Sequence, residues 1–200
     1  MGDYSMNLII VTPFSRTVEN IQAMYASVLM AAATIETEWM IIYQHEVEQV
    51  LMEWKREIKN QKGLQVTTVR GNTATSYYGH SYRNQAVANI EERENAWVYF
   101  LDDDNILHPE FTKLINVVRP EDEVVFFTQV WKSGEIRLEP DYLGVGGVDT
   151  AMMLVRSDII KKHLWNEEEY TADGLMAETL ASNHNSKRIH EPYCFYNYLR

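Results

Sequence analysis

The chain has 200 residues, 46% of them hydrophobic and 24% charged, with a formal net charge of −11 at pH 7. That composition is ordinary for a globular protein and excludes a disordered, collagenous or coiled-coil chain. The negative charge disfavours non-specific binding to nucleic acid or anionic membrane, so a phosphate-bearing ligand calls for a metal ion or a local cluster of arginines.

Cys194 is the one cysteine, which excludes an intrachain disulfide and a thiolate metal cage and fits a reducing compartment. The opening MGDYSMNLII carries Asp3 and no basic region, so it does not read as a targeting segment. Met6 stands where a myristoylation signal wants Ser or Thr. The longest apolar run, near residues 28–33, is far below membrane-spanning length. The expectation is a cytoplasmic protein without membrane insertion, either one 200-residue domain or a domain cut from a longer chain.

Residues 7–12 (NLIIVT) form a short apolar run that stops at Pro13 and read as a buried strand. Val18, Ile21, Met24, Tyr25, Val28, Leu29 and Ala32 then recur at helical spacing. WMIIY at 39–43 is a second strand; Val47, Val50, Leu51, Trp54 and Ile58 share one helical face closed by Gly63. Residues 64–69 predict a third strand, 72–79 a polar loop, 82–92 a helix, and 96–101 (AWVYFL) a fourth strand running into Asp102, Asp103 and Asp104. Strands separated by single helices imply right-handed crossovers and a parallel, doubly wound sheet. In the second half, 123–131 and 135–138 flank Lys132-Ser133-Gly134 as a hairpin. Residues 149–155 predict another strand, 157–164 and 172–181 helices, and the tail from Lys187 a short-stranded or irregular segment. The fold class is α/β, a mixed and mostly parallel sheet flanked by helices, with a small second β element.

Open α/β sheets bind ligands beyond the carboxyl ends of their strands, where the acidic triplet sits. Adjacent carboxylates repel one another, so so dense a group is costly unless a cation neutralises it. On an extended segment Asp102 and Asp104 would address one ligand while Asp103 turns aside. Oxygen-only ligands suit Mg²⁺ or Mn²⁺. The bland alternative is a solvated acidic turn capping a helix that begins near Pro109. Competing motifs fail on spacing. An EF-hand loop opening at Asp102 would need an oxygen ligand and a glycine where Ile106 and Leu107 stand. TPFSR has no glycine for a dinucleotide turn, and no Walker A lysine loop occurs.

The TPFSR turn, Arg83-Asn84, YFLDDDN at 99–105, Gly146-Gly147-Val148-Asp149 and Ala172-Asp173-Gly174, in that order, resemble the GT-A class of nucleotide-sugar glycosyltransferases. YFLDDDN is also similar to the YFADDDN of animal glucuronyltransferases. The compact size and the lack of a membrane anchor resemble the capsid-glycosylating glycosyltransferase domain of a large chlorovirus, which implies a viral protein. The resemblance implies a nucleotide-binding half at 1–105 and an acceptor-binding half at 106–200. It implies that Thr12, Pro13 and Arg16 contact uridine, although Arg16 reads equally as a surface charge. Arg83 would counter the donor diphosphate; its alternative is an ion pair with Glu91 or Glu92. Asp102 would contact ribose or metal, with Asp103 beside it, and Asp104 would ligate the metal. His190 would complete the metal shell, or serve as a structural or surface histidine. His80 stands near enough to Arg83 to reach a phosphate, while His45, His108, His163 and His184 read as superficial.

Asp173 is either a helix N-cap or a carboxylate for the acceptor hydroxyl, and Asp149 a sugar-hydroxyl acceptor beside a glycine turn. Trp131, Tyr142 and Trp165 offer rings for an acceptor platform or for the core. His190 and the unpaired Asp173 lean towards retention. The resulting expectation is a glycosyltransferase using Mn²⁺ or Mg²⁺ to move a sugar from UDP-glucose or a UDP-deoxysugar such as UDP-rhamnose to a glycan or glycoprotein, with capsid protein as one acceptor. The alternatives are a sugar-nucleotide nucleotidyltransferase, or a non-catalytic nucleotide- or carbohydrate-binding module on the same scaffold.

Overall fold

A computed structural model describes residues 6–58, 61–72, 79–91, 93 and 95–200. Residues 73–78 of the loop expected at 72–79, Glu92 and the first five residues therefore lie outside the described residues.

The first half is built as β1 (Asn7–Phe14), α1 (Val18–Ala32), β2 (Glu36–Tyr43), α2 (Glu48–Glu57), β3 (Leu64–Arg70), α3 (His80–Asn89) and β4 (Ala96–Phe100). β3, β2, β1 and β4 lie side by side and parallel. Their side chains alternate between two cores, as strand geometry requires. Leu8, Ile10, Trp97 and Tyr99 pack on one face with Ile21, Met24 and Val28 of α1 and Leu51 and Trp54 of α2. Ile9, Val11, Val98 and Phe100 pack on the other with Ala86 and Val87 of α3.

β1 continues past Pro13, two residues further than its apolar run predicts. Pairing with β4 ends at Val11, so on that side Pro13 faces no ladder that needs its missing N–H.

The second half adds β5 (Ile106–Leu107), a 3₁₀ turn at Pro109–Lys113 running into α4 (Leu114–Val117), β6 (Val124–Trp131), β7 (Ile136–Leu138), β8 (Met153–Arg156), α5 (Ser157–Ile160), α6 (Ala172–Asn183) and β9 (Ser186–Tyr196). β8 is antiparallel to β4 and to β6, and β9 runs parallel to β6. One sheet thus continues from the first half into the second in the order β3-β2-β1-β4-β8-β6-β9-β5, with β7 paired to β6 as the expected hairpin. Ile159, Ile160, Met176 and Leu180 join the core on the α3 face.

Three expectations are corrected. The tail, expected from Lys187 as short-stranded or irregular, is one strand of 11 residues that begins at Ser186. Residues 149–155 open with a 3₁₀ turn at Thr150–Met152, because the Asp149 carboxylate accepts the Ala151 N–H. The acidic triplet does not cap the turn at Pro109–Lys113: the side chain of His108 does, accepting the Glu110 N–H.

Candidate functional site

β1, β2 and β4 deliver their carboxyl ends to one pocket of about 310 Å³. Pro13, Ser15 and Arg16 line it after β1, Gln44 after β2, and Asp102, Asp103 and Asp104 after β4. Gly79, Tyr82 and Arg83 enter from the start of α3, Asp149 from the turn before β8, and Tyr196, Asn197 and Arg200 from the end of the chain.

The acidic segment is a turn, not an extended strand: the Asn105 N–H donates to the Asp102 carbonyl at 3.0 Å. This corrects the picture of an extended segment with Asp103 turned aside: all three aspartates line the pocket, and Asp103 and Asp104 share the guanidinium of Arg16. Asp102 accepts from Nη2 of Arg83. Asp103 accepts the Ser15 N–H at 2.8 Å and Nε of Arg16 at 2.9 Å. Asp104 accepts Nη2 of Arg16 at 2.9 Å and Nε of Arg200 at 2.7 Å. Asp103 and Asp104 are buried, so this is no solvated turn. The neutralising cations are arginines of the chain itself.

Arg83 is 3% exposed, and its other Nη donates to Nδ1 of His80 at 3.0 Å. That bond makes Nδ1 the acceptor; burial first, and then Arg83, hold His80 below its ordinary pKa. Burial works against the charge on Arg83, and the carboxylates of Asp102 and Asp173 outweigh it. The alternative of a helix-surface pair with Glu91 does not fit a guanidinium this buried, and Glu91 lies 3.6 Å from Arg93. Gly79 opens α3 at φ +77°, a conformation that L side chains rarely adopt, and it brings the helix start against Pro13.

Asp102 keeps 31% of its side-chain surface open to the pocket, yet its carboxyl pKa is pushed up to about 7. Burial is the main cause, opposed by Arg83 and reinforced by Asp149 and Asp173. Burial and Asp173 likewise raise Asp149, which accepts the Ala151 N–H at 3.1 Å, Nε2 of Gln129 at 3.2 Å and Nη1 of Arg137 at 3.4 Å. Burial also raises Asp103, against the Ser15 N–H.

Several predicted site residues lie elsewhere. Thr12 is fully buried and its hydroxyl accepts the indole N–H of Trp39 at 2.9 Å, so its side chain belongs to the core. Asp173 is not the N-cap of α6, a place held by Thr171. It sits in the first turn, accepts the indole N–H of Trp165 at 2.9 Å, and lies outside the pocket lining while its charge reaches Asp102 and Asp149. His190 faces Glu139 at 3.9 Å and Asp141 at 3.7 Å, and it is not among the pocket residues. His163 and His184 are not superficial, since their Nε2 atoms meet at 2.9 Å.

Ser15, Gln44, Tyr82, Tyr196, Asn197 and Arg200 are pocket residues that the sequence reading missed. Only contacts distant in sequence reveal the last three. The Asn197 N–H donates to Oδ1 of Asn105 at 2.8 Å, and the Leu199 N–H to the Asp104 carbonyl at 3.1 Å.

The donor set suits a divalent cation as a partial shell. Arg83 engages Oδ1 of Asp102, and both guanidinium bonds to Asp104 fall on Oδ2. Oδ2 of Asp102 and Oδ1 of Asp104 thus carry no hydrogen bond among the described residues. No group of three or more His, Cys, Asp or Glu among the described residues is arranged to hold a metal alone. Two hard oxygens completed by phosphate and water are how Mg²⁺ is usually bound at phosphate sites.

No family model and no curated protein matches the chain. Its fold is found in solved structures. S. aureus TarS residues 1–349 superposes with a TM-score of 0.64 at 16% identity, over 95% of this chain and 60% of that one. The mannosyltransferase PcManGT of Pyrobaculum calidifontis, solved with GDP-Man and Mn²⁺, gives 0.66 at 10% identity over 98% and 58%. The 4-diphosphocytidyl-2C-methyl-D-erythritol synthase of Anaerococcus prevotii gives 0.62 at 14% identity over 99% and 91%. The fold is GT-A-like, shared by glycosyltransferases and nucleotidyltransferases.

Proposed function

We propose that this chain is a metal-dependent glycosyltransferase that moves a sugar from a UDP-sugar to a glycan acceptor. The observation carrying this reading is the convergence of Arg16, Arg83 and Arg200 on Asp102, Asp103 and Asp104 in one pocket at the carboxyl ends of β1 and β4. Such a site answers the problem of an anionic donor on a protein of charge −11.

The fold also serves nucleotidyltransferases, and the loop after β1 favours glycosyl transfer. Only Ser15, Arg16 and Thr17 separate β1 from α1, and the Ser15 N–H is already given to Asp103. A triphosphate cradle needs a longer loop of free backbone N–H groups.

In this reading Arg83 and Arg16 exchange their carboxylates for diphosphate oxygens, to which a guanidinium offers paired hydrogen bonds. Asp102 and Asp104 would hold Mn²⁺ or Mg²⁺, which when bound neutralises charge on the departing diphosphate. Pro13 and Gln44 border the nucleoside side. The bond between the anomeric carbon and the β-phosphate oxygen breaks, and its electron pair leaves with UDP. The acceptor hydroxyl oxygen forms the new bond, and its proton passes to a carboxylate. Asp149 suits that role, because it lines the pocket and burial raises its proton affinity. Asp173, tied to Trp165, acts through its charge. With His190 remote, the geometry offers no argument for retention. The capsid acceptor of the chlorovirus resemblance rests on compact size and the expected lack of a membrane anchor alone. The two 1–105 and 106–200 halves correspond in this reading to donor and acceptor binding. No helix among the described residues is long and apolar enough to cross a membrane.

Thermal unfolding with UDP, with Mn²⁺ and with both tests the reading. A ligand at about 100 times its Kd adds roughly 2.7 kcal/mol, which at this length raises the midpoint by about 5–10 °C. A shift requiring both supports the site; no shift in any combination overturns it. Release of UDP from UDP-glucose or UDP-rhamnose supports glycosyl transfer, release of pyrophosphate from UTP and a sugar phosphate supports nucleotidyl transfer, and UDP binding without turnover leaves a binding module.

A further inference from the structure

Four of the five tryptophans, Trp39, Trp54, Trp97 and Trp165, are at most 4% exposed, while Trp131 is 42% exposed. It stands at the end of β6, where the hairpin turn to β7 begins. Its ring meets that of Tyr196 edge to face, centroids 5.2 Å apart at 78°. The guanidinium of Arg137 lies 3.6 Å over the Tyr196 ring and 5.9 Å from the Trp131 ring. The same group donates to Oε1 of Gln129 and, at 3.4 Å, to Oδ2 of Asp149. Tyr196 and Asp149 both line the pocket, so the aromatic pair starts where the pocket ends.

Trp165 drops out of the expected sugar platform: it is buried against Phe100, with centroids 4.7 Å apart, and its indole N–H is bound by Asp173. Trp131 is different. A large ring left in water, and fixed by a perpendicular ring and a cation, presents a rigid apolar face at little entropic cost. The C–H face of a pyranose ring matches such a surface, and Asp149 beyond it accepts hydroxyl hydrogens. We infer that Trp131 and Tyr196 form the subsite for the acceptor's sugar ring, with Arg137 as the positioning residue that ties both rings to Asp149. The occupant is a pyranoside, free or at a glycan terminus. This rests on the glycosyl-transfer reading.

Acrylamide quenching tests it, because Trp131 is the tryptophan that the quencher reaches. Methyl pyranosides of gluco, galacto, manno, xylo, fuco and rhamno configuration are titrated with UDP and Mn²⁺ present. At least one is expected to lower the quenching constant by about half. W131F is expected to lose that quenching response and, by titration calorimetry of the protecting sugar, to keep its affinity within about threefold, whereas W131A weakens it about tenfold, equal to about 1.4 kcal/mol. Stabilisation by UDP and Mn²⁺ is measured on each variant. A wild-type protein stabilised by UDP but unprotected by every sugar, or a W131A variant that binds the protecting sugar as tightly as wild type, overturns the subsite. A wild-type protein that UDP does not stabilise overturns the donor reading instead.

Discussion

The guanidinium of Arg83, carried by α3, donates through Nη2 to Oδ1 of Asp102 in the turn after β4, and both residues line the pocket. Removing it strands a carboxylate that burial already disfavours. Arg83→Ala is expected to cost about 3 kcal/mol, the low end for a broken buried pair because Asp102 opens onto the pocket. That equals a fall of about 6–12 °C in the unfolding midpoint. Arg83→Lys keeps the charge, loses the planar fork, and should recover part of the stability but little of the UDP affinity. Calorimetry with and without UDP checks both.

The pH dependence of stability follows from Asp102. Its folded pKa, pushed up to about 7, lies above the ordinary 3.8. Between those values the folded state holds a proton that the unfolded chain has released, so this contribution is complete below pH 3.8 and declines until about pH 7. The raised carboxyls of Asp149 and Asp103 act in the same direction. Asp102→Asn should flatten the decline between pH 4 and 7 relative to wild type, as read from urea midpoints. An unchanged slope would mean that Asp102 is charged throughout.

Thr12 and the pocket separate cleanly. Thr12→Val leaves the buried Trp39 indole N–H without its acceptor, at a cost of about 1–3 kcal/mol. UDP binding should stay at the wild-type level, because the hydroxyl faces the core. A loss of UDP affinity without a loss of stability would return Thr12 to the nucleoside site.

Arg200 competes with any cation for Asp104. Its side chain is 54% exposed, so Arg200→Ala should cost less than about 1 kcal/mol. In the absence of nucleotide the same change should tighten Mn²⁺ binding severalfold, as measured by the electron spin resonance of free Mn²⁺. Weaker Mn²⁺ binding would show that Arg200 organises Asp104 rather than competing for it.

The parallel half of the sheet is legible in the sequence because each of its strands carries its own signal. Leu8 and Ile10 alternate with Ile9 and Val11 between two cores, and helical spacing marks Ile21, Met24 and Val28. The place of the acidic triplet is legible for the same reason, as it follows a fully buried strand. Its geometry is not. Adjacent aspartates say nothing about a turn closed by the Asn105 N–H, or about which arginine each carboxylate meets. The full length and the partner of β9 are not legible because KRIHEPY lacks alternation, and its ladder with β6 shifts register around Thr128, which pairs with Pro192. Once that ladder is misread, Tyr196, Asn197 and Arg200 have no visible route to the pocket, and His190 has no visible reason to avoid it.

The stitching of residues 197–199 to the acidic turn bears on how the protein is handled. Anything fused after Arg200 emerges at the pocket mouth beside Asp104. A polyhistidine tag placed there would bring metal-binding imidazoles and a tethered polymer to the entrance. The start of β1 at Asn7, by contrast, lies at the opposite end of that strand from Pro13 and the pocket.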